Sequence, residues 1–181
     1  LMFHILKIIF LCLISFIFSY TIYVPEDFET IQEAVDNANH LDSIFVNYGE
    51  YFECIEIEEK SISIFGSSEQ NPKIYCEEEY EFAFQMMNFY QQYSVFISDF
   101  ILSGNGIGGA LKFNDTDLEL NNIECENFKY TAIYLTNSQL NAENLIIQNP
   151  GENAEVYLQL TNSSANINGG EFRNLESNEL N

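Results

Sequence analysis

Two periodicities divide the chain. Near its start, Thr30-Ile31-Gln32-Glu33 forms a capping box, in which a Thr hydroxyl and a Glu carboxylate reciprocally satisfy free backbone N–H groups. Ile31, Ala34, Val35 and Ala38 follow at helical spacing, so one short amphipathic helix is predicted over Ile31 to Asn39. Beyond it the period changes to two. Ile44 and Val46 alternate with Ser43, Phe45 and Asn47, Ile55 and Ile57 with Glu56 and Glu58, and Ile62 and Ile64 with Ser61 and Ser63. These read as short strands with turns at Gly49, Gly66 and Asn71-Pro72.

The second half repeats. Four segments beginning at Ser94, Asp117, Gln139 and Ser164 align without gaps. One apolar column holds Val95, Leu118, Leu140 and Ala165, a second Ile97, Leu120, Ala142 and Ile167, a third Leu102, Cys125, Ile147 and Phe172. Between them runs a polar column of Asp99, Asn122, Asn144 and Gly169, and another reads Gly104, Asn127, Asn149 and Asn174. A second strand is predicted in each repeat, over Ala110 to Asn114, Ala132 to Thr136 and Tyr157 to Thr161, closing on Asp115, Asn137 and Asn162. Short strands at this period, with no helix between them, describe a coil that stacks on itself. Like residues then lie ~4.8 Å apart in columns, and Asn columns form ladders at the bends. The LxxLxLxxN frame of a leucine-rich repeat is absent, and a β-sandwich does not keep columns in step over four repeats.

The predicted fold class is therefore all-β: a right-handed parallel β-helix solenoid with a short N-terminal capping helix. The sequence resembles the pectin-lyase-like superfamily of such proteins. The residues that carry the likeness are Tyr23-Val24-Pro25, Phe28, Thr30 to Val35, Asp42-x-Ile44-x-Val46-x-x-Gly49-x-Tyr51, Lys60 to Ile64 with Gly66, and Asn71-Pro72-Lys73-Ile74. The resemblance implies the scaffold and transfers no reaction. Lyases of this fold use a Ca²⁺-binding carboxylate cluster and an Arg base, whereas the one Arg here is Arg173, near the chain end. The Gly-His-Gly and Arg-x-Lys motifs of the polygalacturonases and the later Asp and Arg residues of the methylesterases are also missing.

Residues 1–19 read as a signal peptide: Lys7 supplies the positive region, and Ile8 to Phe18 form an apolar run broken only by Ser15, shorter than the ~20 residues of a membrane span. The alternative is a signal anchor at the cell surface. Residues 20–40 form the cap and 41–181 the coils, expected to be open-ended or truncated at the C-terminus. Secretion exposes the cysteines to oxidation. Cys54 and Cys76 stand 22 residues apart, about one coil, and are the candidate disulfide, which leaves Cys125 as a core thiol. Secretion also makes Asn114 (Asn-Asp-Thr) and Asn162 (Asn-Ser-Ser) candidate glycosylation sites.

The net charge of −22 speaks against nucleic acid and anionic lipid as partners. The remaining candidate features have plainer readings. Glu56, Glu58, Glu59 and Glu77 to Glu79 read as a wet face, without the spaced ligands of a Ca²⁺ loop. Tyr80, Phe82, Phe84 and Met86, followed by Phe89, Tyr90 and Tyr93, read as filling of a coil before a sugar-stacking stripe. The glycines from Gly104 to Gly109 precede a strand, not the helix of a phosphate loop. No residue is assigned a catalytic, cofactor-binding or metal-ligating role. Glu119, Glu124, Glu126, Glu143 and Glu171 are read as unpaired with Arg or His. The expected function is a secreted, non-catalytic module for surface structure, adhesion or recognition, with extracellular glycans or surface proteins as partners. The alternatives are the N-terminal part of a polysaccharide-active enzyme, or a carbohydrate- or cation-binding module.

Overall fold

The computed structural model describes residues 19–78, 81–87, 91–129, 131–148 and 156–173. The chain winds into a parallel β-solenoid of about six turns. The first half supplies β1 (Thr21–Val24), α1 (Ile31–Asn37), β2 (Ser43–Val46), β3 (Glu50–Tyr51), β4 (Ile55–Glu56), β5 (Ile62–Gly66), β6 (Lys73–Tyr75) and β7 (Phe82–Met86). The repeats supply β8 (Tyr93–Ser103), β9 (Gly109–Asn114), β10 (Thr116–Glu126), β11 (Thr131–Thr136), β12 (Gln139–Gln148), β13 (Val156–Thr161), β14 (Ser164–Asn168) and β15 (Glu171–Arg173). One ten-stranded sheet follows the path β1-β2-β5-β8-β10-β12-β14, with β3, β6 and β15 joined at its side. The other runs β4-β7-β9-β11-β13. Every strand pair in the described residues is parallel, as stacked coils require. Among those residues no helix is long and apolar enough to cross a membrane.

The columns read from the sequence are the register of the sheets. Leu118 pairs with Val95 and Leu140, Leu120 with Ile97 and Ala142, and Cys125 with Leu102 and Ile147. The inward aliphatic members are buried up to β12, where each fully buried aliphatic or Phe side chain contributes about 1.5–3 kcal/mol, whereas in the last coil Ala165 and Ile167 are half-buried and Phe172 is exposed. The polar column breaks the ladder between these registers. Asp99, Asn122, Asn144 and Gly169 all adopt positive φ, between 54° and 68°. Asn and Asp reach this left-handed region more readily than other side chains, and Gly reaches it freely. The long strands β8, β10 and β12 bend there into two arms. Among the described residues this column makes one rung of the expected ladder: Asn122 Nδ2 donates to Asp99 Oδ1 at 2.9 Å. Backbone conformation, more than side-chain bonding, is what this column shares.

A second left-handed column, Asp115, Asn137 and Asn162 (φ 50–51°), turns the chain from the five-stranded sheet back to the ten-stranded one. Directly after it stand Thr116, Ser138 and Ser163, a column the sequence reading did not single out. Each hydroxyl donates to the carbonyl two residues earlier, at 2.8–2.9 Å. The hydroxyls of Ser138 and Ser163 also accept the backbone N–H of Thr116 and Ser138 in the preceding coil. The third predicted column does not hold together. Gly104 is in line with Asn127, yet it is Asn105 and Gly106 that join Asn127 at positive φ, because the turn at 105–107 is displaced. Asn149 and Asn174 lie outside the described residues.

Several expectations are corrected. The helix ends at Asn37, not Asn39, because Ala38 is extended (ψ 141°) and Asp42 Oδ2 accepts the Asn39 N–H. Thr30 Oγ1 accepts from Glu33 N at 3.1 Å, and another coil takes the first two helical N–H groups: the Glu53 carboxylate oxygens accept from Ile31 and Gln32 at 2.9 Å. Lys60 Nζ closes the other helix end on the carbonyls of Val35 and Ala38. Residues 20–40 contain β1 as well as the helix, so the cap already includes a rung of the sheet. Gly66 is the last residue of a strand, not a turn. A Cβ there would lie 2.0 Å from the Asp99 carbonyl oxygen, so Gly is what lets the bend of the next coil approach.

Cys54 and Cys76 are joined by a disulfide with Cα atoms 4.7 Å apart. Cys125 is a buried free thiol in the apolar column, and burial pushes its pKa up. Thiol titration of unfolded, unreduced residues 20–181 should find one reactive thiol, and three would remove the crosslink. At the bend, Asn122→Ala should lower stability by roughly 1 kcal/mol more than Asn122→Gly, because only the former strains the left-handed backbone. Urea denaturation of the two variants measures the difference.

Candidate functional site

Alternation in β1, β2 and β5 points aliphatic residues inward and one aromatic outward between each pair. Tyr23, Phe45 and Phe65 occupy one outer column of the ten-stranded sheet. Their rings stack with centroids 5.9 and 4.9 Å apart. The next ring is Phe96 on β8, which pairs with Ser63 and so steps diagonally from Phe65, 5.2 Å away and tilted by 42°. The first three rings cover one another's faces. The tilt of Phe96 ends the stack and turns its ring toward a polar surface.

That surface is built by the outward positions of β10, β12 and β14. Phe96 is followed in register by Glu119, Asn141 and Asn166, and the neighbouring column runs Ser98, Asn121, Glu143 and Asn168. Two depressions, of about 490 and 360 Å³, meet at Phe96, Glu119 and Asn141. The larger extends past Ser63 and Ser94 to Asp117, the smaller along Glu143 and Asn168. Asp117 Oδ1 accepts from Gln92 Nε2 at 2.8 Å. Among the described residues the side chains of Glu119, Asn141 and Glu143 hold no hydrogen-bond or ion-pair partner, so their polar atoms remain available to a ligand. The floor is rigid because it is sheet, which fixes rung spacing along a groove parallel to the solenoid axis.

The sequence reading missed this site because it placed the aromatic stripe elsewhere. Phe84 and Met86 do fill the core, while Phe82 is only half-buried and Tyr93 sits edge-on to His40. Tyr80, Phe89 and Tyr90 lie outside the described residues. The available signal was the recurrence of Ile-Tyr-Val, Ile-Phe-Val and Ile-Phe-Gly at one strand position.

The other singled-out residues are dispersed. His40 Nδ1 accepts the Ser61 N–H at a corner. Asn162 is exposed and donates to Asn137 Oδ1. Asn114 is half-buried on the outer side of the five-stranded sheet, and its partner Thr116 is fully buried. Among the described residues no three His, Cys, Asp or Glu side chains converge as a metal site; Glu79 lies outside them. The reading of the carboxylates as unpaired is corrected at Glu171, which is ion-paired to Arg173, and Glu126 is ion-paired to Lys73. Gln148 bonds both to Glu124 and, at 3.4 Å, to Arg173. Lys73 Nζ also lies 4.8 Å from the centroid of Tyr75, whose ring stacks on Phe52 at 5.0 Å. No family model, curated protein or solved structure matches the chain. The fold and this groove therefore define the molecule as a parallel β-solenoid with a polar outer face.

The Lys73 contact has a pH signature. Partial burial lowers its pKa, but the hydrogen bond and charge of Glu126 outweigh that and hold it above the ordinary value. A raised folded-state pKa gives stability that is complete below the unfolded value and lost as pH rises through the folded one. Lys73→Gln should thus cost up to about 1 kcal/mol at neutral pH, and the gap to the parent should close under strong alkali. Urea midpoints of both proteins across that range test it.

Proposed function

We propose that the chain is a secreted, non-catalytic recognition module of pectin-lyase-like architecture that binds an extended glycan along the outer face of its ten-stranded sheet. The observation that carries this reading is the junction at Phe96, where a stack of aromatic rings ends beside Glu119, Asn141 and Glu143, which hold no internal partner among the described residues. A sugar ring offers one apolar face and a rim of hydroxyls. Phe96 supplies the surface for the former, and Glu119, Asn141 and Glu143 supply acceptors and donors for the latter. Binding by many weak contacts spread along a regular surface suits a polymer better than a compact metabolite. The carboxylates on this face and the net charge of −22 favour neutral or amino sugars over uronates. The apolar run at Ile8 to Phe18 supports the extracellular setting.

Calorimetry with a neutral glucan hexamer, a chitosan hexamer and an oligogalacturonate tests the proposal. One of the first two should bind, with Phe96→Ala weakening it at least ten-fold and leaving the melting temperature near the parent's. Preference for oligogalacturonate, or equal binding by the Phe96 variant, would overturn it. Products of cleavage would move the chain to the enzyme reading.

A further inference from the structure

The outer face of the five-stranded sheet carries a third depression, of about 510 Å³, on a different side of the coil from the glycan groove. Its walls are mostly apolar. Phe82 lies so close to Gly109 that a Cβ there would come within 2.2 Å of the ring, so the glycine is what leaves room for it. Met87 and Tyr134 extend the apolar surface, and Thr136 adds a hydroxyl. Lys112 stands on this surface between Gln85 and Tyr134, in the outward register of β9.

The lysine is out of place in so acidic a chain. Lys60 is bonded to two helix carbonyls, Lys73 to Glu126 and Arg173 to Glu171, and Lys129 is also engaged. Among the described residues, the one contact of the Lys112 ammonium is the Phe82 ring, with Nζ 5.6 Å from its centroid. It makes no contact there with any of the carboxylates that dominate the surface. A cation facing an apolar groove, with no carboxylate against it among the described residues, is complementary to an anion that brings its own apolar body. A small hydrophilic anion lacks that body and meets the repulsive field of the whole molecule.

We propose that this groove binds an organic carboxylate with a flat apolar body, its carboxylate on Lys112 and its body against Phe82 and Tyr134. The volume lies within the range of sites that enclose small organic ligands. This inference is independent of the glycan reading, since it uses other residues on another sheet.

The test is calorimetric titration with 2-naphthoate, its neutral analogue 2-naphthalenemethanol, and acetate. Naphthoate should bind, the alcohol roughly ten-fold more weakly because the charge-assisted bond is lost, and acetate not measurably. Lys112→Gln should bring naphthoate down to the level of the alcohol, and Lys112→Arg should retain the preference. Absence of naphthoate binding, equal affinity for acid and alcohol, or an unchanged preference in the Gln variant would each overturn the proposal. If the Gln variant fails to fold, the acid-against-alcohol comparison on the parent protein still decides.

Discussion

At the two bends that join its strands, each coil must turn where the coil beneath it turns. A parallel stack allows no other arrangement, because a bend one residue out of step would send inward side chains to the solvent face. The two left-handed columns meet that demand. Residues at positive φ recur at Asp99, Asn122, Asn144 and Gly169, and at Asp115, Asn137 and Asn162. Between them the strands need only alternate. The hydroxyls of Thr116, Ser138 and Ser163 then satisfy backbone groups at corners where strand pairing is interrupted, so Thr116 and Ser138 are buried with their N–H groups paired.

This is why the architecture was legible in the sequence. A residue type repeated at one angular position in every coil leaves a column in any gapless alignment: the apolar columns became register pairs, and two of the three polar columns became shared left-handed bends. What was not legible depends on partners from a neighbouring coil. Glu53 and Lys60 close the two ends of the helix, yet neither sits in the capping box or the last turn of the helix sequence. Gly66 resembles a turn residue in isolation; its reason lies in Asp99, a coil away. The ion pair of Glu171 with Arg173 is different: the two stand two apart in β15 and alternation puts both side chains on one face, so it was legible and was overlooked.

The outer faces carry the chemistry because the interior is committed to packing. With Ile, Leu, Phe and the Cys125 thiol filling the inward columns, ligand contacts are left to residues that alternate outward. On the ten-stranded sheet these are rings followed by amides and carboxylates. On the five-stranded sheet they are Gln85, Lys112, Tyr134 and Gln159 in one line. A single strand thus serves the core with one set of positions and a surface with the other. Change at the surface positions leaves the register untouched.

Charge separates the two faces further. The excess of carboxylates spreads a negative potential over the molecule, and most of the few cations are tied into local bonds that hold the fold. Lys60 holds a helix end and Lys73 joins the third coil to the fifth through Glu126. Removing either would cost structure before it changed recognition. Lys112 differs because its ammonium faces a groove and a ring, so its substitution should be felt in what the groove accepts and little in stability. Glu119 and Glu143 stand in the same relation to the other face. Outward charges without internal partners are therefore where selectivity can be read apart from folding.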